Sequence, residues 1–130
     1  MEAMIESKDR GKLDLRKTTR EFALRVIRVY LALPRTTLAQ TLGKQLLRSG
    51  TSVGAHYREA CRAKSNADFI SKIEGALQEL DETAYWLELL IDTSLVKESK
   101  LSNLIQDADR LMSIFTTMSK SVKSKRGVKS

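Results

Sequence analysis

The segment from Arg48 to Leu90, RSGTSVGAHYREACRAKSNADFISKIEGALQELDETAYWLELL, decides the architecture of this 130-residue chain. Its first half has a small-residue face, Ser49, Gly50, Ser52, Val53 and Gly54, that runs into the polar cluster His56, Tyr57, Arg58 and Glu59. The second half restarts at Ser65 and repeats apolar residues at Phe69, Ile73, Ala76, Leu77, Leu80, Ala84, Leu87 and, just past the segment, Ile91. This spacing keeps one face of a helix apolar for about six turns. Two long helices joined by a tight turn form an antiparallel hairpin, and the flanking segments must cover it.

Toward the N-terminus, Leu15, Phe22, Val26, Val29 and Leu33, with Ala23, Ile27, Tyr30 and Leu31 beside them, predict an amphipathic helix opening at Lys12 or Leu13. Its opposite face holds Arg16, Lys17, Arg20, Arg25 and Arg28, with Glu21 as the local acid. That face calls for an external or interhelical anion. Pro34, the only proline, disfavours helical geometry at Leu33 and ends helix one there. Thr36 or Thr37 then caps helix two. Leu38, Leu42, Leu46 or Leu47, and Val53 give helix two its apolar stripe, while Gly43, Gly50 and Gly54 each cost about 1 kcal/mol of helix propensity relative to Ala. Close approach of two backbones along Gly50 and Gly54 would offset that cost, so the small-residue line favours a tight helix crossing over ligand contact.

Ser65-x-x-Asp68 resembles a capping box and opens helix three, which runs to about Asp92. Its outer positions Glu74, Gln78, Glu79, Asp81, Glu82 and Glu88 form an acidic face. Tyr85 and Trp86 are consecutive and point in different directions: one belongs to the core, the other to a helix boundary or a subunit contact. After a connection over 93–99, Leu101, Leu104, Ile105, Ala108, Leu111, Met112, Phe115, Met118 and Val122 define a fourth amphipathic helix. Residues 1–11 lack sustained periodicity and read as a flexible segment, and the basic, Ser-rich stretch 121–130 reads as a disordered tail. Residues 12–120 therefore form one all-α domain, an antiparallel up-down-up-down four-helix bundle.

The net charge is +7, and its distribution says more than its sum. Residues 66–93 carry one base and seven acids, whereas 12–33 carry six bases and two acids and 36–64 carry five and one. Helix three is thus an acidic element among basic neighbours. Interhelical pairing of Glu59, Glu74 and Glu79 with Arg48, Arg58 and Arg62 accounts for much of the contrast. It leaves Arg16, Lys17, Arg20, Arg25, Arg28, Lys120, Lys123, Lys125, Arg126 and Lys129 as candidate contacts for a polyanion.

Other classes of function find less support. No apolar run approaches the roughly 20 residues a bilayer-spanning helix needs, and the charged first ten residues do not read as a signal peptide. The lone Cys61 reads as a packing residue and agrees with a reducing compartment, so the cytoplasm is expected and a membrane is not. A single His rules out sites that need two, no Glu-x-x-His pair marks a di-iron bundle, and no glycine-rich phosphate loop occurs. No metal or cofactor is expected. His56 and Glu59, three apart, read as a hydrogen-bonded pair at a helix surface or between helices rather than as an acid–base group. The chain is not expected to be an enzyme.

The stretches RSGTSVGAHYREA and KSNADFISKIEGALQELDETAYWLELL resemble the four-helix-bundle family of 23S ribosomal RNA intervening-sequence proteins. Members carry a Ser-Ile/Val-x-Ala/Gly-Asn/His-x-x-Glu-Ala/Gly segment on helix two, here Ser52, Gly54, His56, Arg58 and Glu59 with their neighbours. His56 stands where many members have Asn. The same family includes proteins similar to the accessory variability determinant of diversity-generating retroelements. The resemblance covers residues 14 to 120 and implies assembly into a homopentamer with a basic surface that meets nucleic acid or a nucleic-acid enzyme. Two functions follow as expectations: a non-enzymatic oligomeric adaptor that binds RNA or DNA phosphates, or a protein-interaction scaffold such as an accessory subunit of a reverse transcriptase.

Overall fold

The computed structural model describes residues 14–125, and among them every regular element is helical. Helix α1 is Leu15–Ala32, α2 is Thr37–Cys61, α3 is Asn66–Asp92 and α4 is Glu98–Lys125. Each of the first three opens on a side-chain cap that takes up otherwise unsatisfied backbone N–H groups. The Asp14 carboxylate accepts from the N–H groups of Arg16 and Lys17, Thr36 from Ala39, and Ser65 from Asp68. Pro34 acts as expected: Leu33 is extended, with ψ at 148°, and α1 ends before it. At the α3–α4 turn Ser94 takes a positive φ of 62°, and the N–H groups of Leu95 and Val96 both reach the Leu90 carbonyl.

Short links make consecutive helices antiparallel neighbours, and α2 and α3 form the best-packed pair. The buried stripe of α2 is Ala39, Leu42, Leu46, Val53, Tyr57 and Ala60; that of α3 is Phe69, Ile73, Ala76, Leu80, Leu87 and Leu90. The Ser49 and Thr83 hydroxyls lie 2.9 Å apart between the two helices, so the buried polar groups there satisfy each other. From α4, Phe115 stacks on the fully buried Tyr57 at a centroid distance of 5.7 Å.

The glycines of α2 face α1. A Cβ on Gly50 would lie 2.7 Å from both methyls of Val26, and one on Gly43 would lie 2.7 Å from Leu33. The third, Gly54, abuts Thr19. The small-residue line is thus a close helix crossing within the chain.

Three features differ from the sequence-based expectation. Leu38 is exposed rather than part of the α2 stripe, because the buried line through Ala39, Leu42 and Leu46 centres about 70° around the helix from it. Helix α4 continues through Ser121–Lys125, the first half of the stretch expected to be disordered, as Met118 and Val122 extend its apolar row onto the core. Residues 1–13 and 126–130, including Arg126 and Lys129, lie outside the described residues. Finally, the bundle is open along one side. Helix α1 packs on α2 and α4 packs on α3, but α1 and α4 meet at only a few points.

Candidate functional site

The basic face of α1 arises from residues a helical step or two away from the buried line Leu15, Phe22 and Val26. Lys17, Arg20 and Arg28 are exposed, and none of them has an ion-pair partner among the described residues. Arg16 is half-buried at the start of the helix. Arg25 differs from its neighbours: it reaches across to α4 and pairs with Asp107. Of the α4 candidates, Lys120 is exposed, Lys123 pairs with Glu74 of α3 at 3.0 Å, and Lys125 is exposed on the last turn.

Charges on α2 and α3 meet in a few interhelical pairs, though not with all the expected partners. Arg48 pairs with Glu79 at 3.3 Å and also with Glu82. The hydrogen bond from Arg48, with a smaller one from the Trp86 indole, holds the Glu82 carboxyl below its ordinary range; the same bond raises Arg48. Glu59 takes Lys72, one turn along the neighbouring helix, at 3.4 Å. Arg58 and Arg62 were expected to join this network but are exposed and take no acid among the described residues. Tyr57, Ala60 and Cys61 around them are buried, so the two arginines lie on the solvent side of the end of α2.

The Ser52-to-Glu59 segment packs rather than opening a cavity. Ser52 donates to the Arg48 carbonyl at 2.7 Å, and the His56 imidazole lies over Gly75 of α3, with Nδ1 3.0 Å from where a Cβ would stand. His56 sits 3.8 Å from both Glu59 and Glu79. Those distances are too long for the hydrogen bond expected with Glu59. The site is a polar contact of His56 with Glu59 of its own helix and Glu79 of α3, and Gly75 makes room for the ring.

The open side of the bundle provides what the sequence reading missed. Two hollows follow the α1–α4 seam in order. One of about 560 Å³ is lined by Phe22, Leu24, Arg25, Arg28, Arg110 and Ile114 among others, and one of about 500 Å³ by Arg28, Val29, Leu95, Lys97, Lys100 and Leu101 among others. Arg28 belongs to both. Leu24 and Leu31 of α1 stand 42% and 73% exposed on or beside this side. On the opposite helix, α3, Tyr85 is exposed and meets the half-buried Trp86 edge to face at 5.0 Å, so Trp86 is the one that packs on the core. No group of His, Cys, Asp and Glu among the described residues is arranged to hold a metal ion, and no described helix is long and apolar enough to cross a membrane.

Comparison with known proteins places this architecture. A protein from the S23 ribosomal protein family of Bacteroides thetaiotaomicron VPI-5482, itself described as of unknown function, has a crystal structure that superposes with a TM-score of 0.78 at 38% sequence identity. The match covers 82% of this chain and 99% of that one. No curated protein matches. The family described as 23S rRNA-intervening sequence protein matches residues 11–117, which span all of α1, α2 and α3 and most of α4. This chain is a member of the 23S rRNA-intervening sequence protein family.

Proposed function

We propose that this chain is a non-enzymatic, self-associating adaptor in the cytoplasm that holds RNA or DNA by its phosphates. The observation that carries this reading is the unequal use of charge. Acids of α3 absorb Arg48 and Lys123, whereas Lys17, Arg20 and Arg28 on α1 present unneutralised cations along one exposed helix face. Lys120, and Arg126 and Lys129 beyond the described residues, add to the cationic character. Exposed aromatic rings are scarce, which favours backbone contact over base stacking. The exposed Tyr85 supports a contact between copies, and the family likeness supports five of them. Several copies would turn a modest patch into useful affinity through avidity.

The test is a binding isotherm of nuclease-treated protein with structured RNA and with duplex DNA over a salt series. Affinity should fall linearly in log salt, and the triple change Lys17→Ala, Arg20→Ala, Arg28→Ala should reduce the steepness of the duplex slope by about 2 to 3. Unchanged affinity in that variant would overturn the reading. Light scattering at micromolar concentration should give five times the 14.7 kDa chain mass, and a monomer mass would remove self-association from the proposal.

A further inference from the structure

The two hollows on the α1–α4 seam share Arg28 and together run from Thr18 of α1 to Leu33 just past its end, with the helical part from Thr18 to Ala32 about 21 Å long at 1.5 Å per residue. Their floor is apolar and mostly aliphatic, built from Leu24, Val29, Leu95, Val96, Leu101 and Ile114, with the buried Phe22 as its aromatic member. Their rim is cationic. Arg28, Lys97, Lys100 and Arg110 have no acid partner among the described residues, and the acids on the same lining are Glu21 and Asp107, the latter joined to Arg25. From this we propose that the seam binds an acidic amphipathic helix of about four turns supplied by a protein partner, laid between α1 and α4 where the two helices meet at only a few points.

Each part of the chemistry selects this occupant. A floor whose aromatic ring, Phe22, is buried gives nucleic acid little to stack on, but it accepts Leu or Ile side chains spaced three and four apart along a helix. The rim cations then meet acids that flank such a stripe. A second copy of this chain fits less well. Its acidic element, α3, presents Tyr85 as the one large exposed apolar residue among its outer acids, and its other large apolar side chains are at least partly buried in its own fold. The Arg25–Asp107 bridge crosses the seam with both side chains more than a third exposed, so a carboxylate on the incoming helix can replace Asp107 at little cost. This inference gives the adaptor a protein-facing side and is separable from the nucleic-acid reading, since Lys17 and Arg20 do not line the seam.

The probe is a fluorescein-labelled synthetic peptide of about four turns, covalently stapled as a helix, with a Leu stripe flanked by Glu. Its control is a stapled peptide of the same composition in which the stripe is scrambled. Fluorescence anisotropy with the full chain should show the striped peptide binding at least tenfold more tightly than the control. The double variant Leu24→Ser, Ile114→Ser should lose that preference while keeping its helical circular dichroism and its affinity for RNA. Lys17→Ala with Arg20→Ala should do the reverse. Equal affinity for the two peptides would reduce the seam to a charged surface and overturn the proposal, as would failure of both to bind. A fall in molecular mass caused by Leu24→Ser, Ile114→Ser would show that a second copy covers the seam instead, and RNA displacing the peptide from it would assign the groove to nucleic acid.

Discussion

Gly50 and Val26 touch so closely that a single methyl group measures the α1–α2 crossing. Gly50→Ala should gain about 1 kcal/mol of helix propensity yet lose more to overpacking against both Val26 methyls, for a net destabilisation of about 1 to 2 kcal/mol. Urea denaturation of Gly50→Ala, Val26→Ala and the double variant checks this, because relief of the clash must appear as coupling between the two sites. A neutral Gly50→Ala would mean the helices stand further apart. The Glu82 carboxyl makes a second residue-level prediction. Arg48 holds it below its unfolded value, so its stabilisation is complete above that unfolded value and is lost as pH falls through the lowered folded one. The pair is partly exposed and contributes at most about 1 kcal/mol. Urea midpoints taken from pH 7 to pH 3 should therefore fall less steeply in Glu82→Gln, and identical acid limbs would show the pair to be idle. The glycine spacing was legible in the sequence as a close crossing, but not its partner: a period locates a face, not the helix that meets it. Leu38 was misread for a related reason, since a Leu one step off the stripe looks much like one on it.

At the level of helices, the caps Thr36 and Ser65 and the break at Pro34 were the most readable features, because they act on backbone groups within a few residues of themselves, whereas the Asp14 cap was missed, helix one having been expected to open at Lys12 or Leu13. The end of α4 was not. Composition past Lys120 resembles a solvated tail, yet Val122 continues the row Leu111, Phe115 and Met118 onto the core, and Lys123 reaches Glu74. Removing residues after Lys120 should then cost about 1 to 2 kcal/mol in chemical denaturation, most of it from the part-buried Val122. A truncated chain as stable as the full one would restore the tail reading for this stretch. The expected pairing of Arg58 and Arg62 failed on geometry as well: both sit at the end of α2, and of the three acids expected to share Arg48, Arg58 and Arg62, Glu59 goes to Lys72, Glu74 to Lys123 and Glu79 to Arg48.

Across the whole molecule, connection lengths foretold three of the four sides of the bundle, because each short link forces its two helices together. No link joins α1 to α4, so no feature of the sequence could reveal that this side stands open or that Arg110, Lys97 and Lys100 converge on it with Arg28. The same openness has a consequence for amide hydrogen exchange. Most of the support for α1 comes from one neighbour, whereas α2 and α3 are each braced extensively on two sides. Native-state exchange should accordingly find α1 opening as a unit at a lower free energy than α2 and α3, with the α2–α3 hairpin persisting after α1 has let go. Amides of α1 that exchange only through global unfolding would contradict this. If they do open early, a helix seated on the seam would brace α1 and α4 on their open side, and partner binding would be recorded as slowed exchange in the two outer helices that the fold itself secures chiefly through one neighbour.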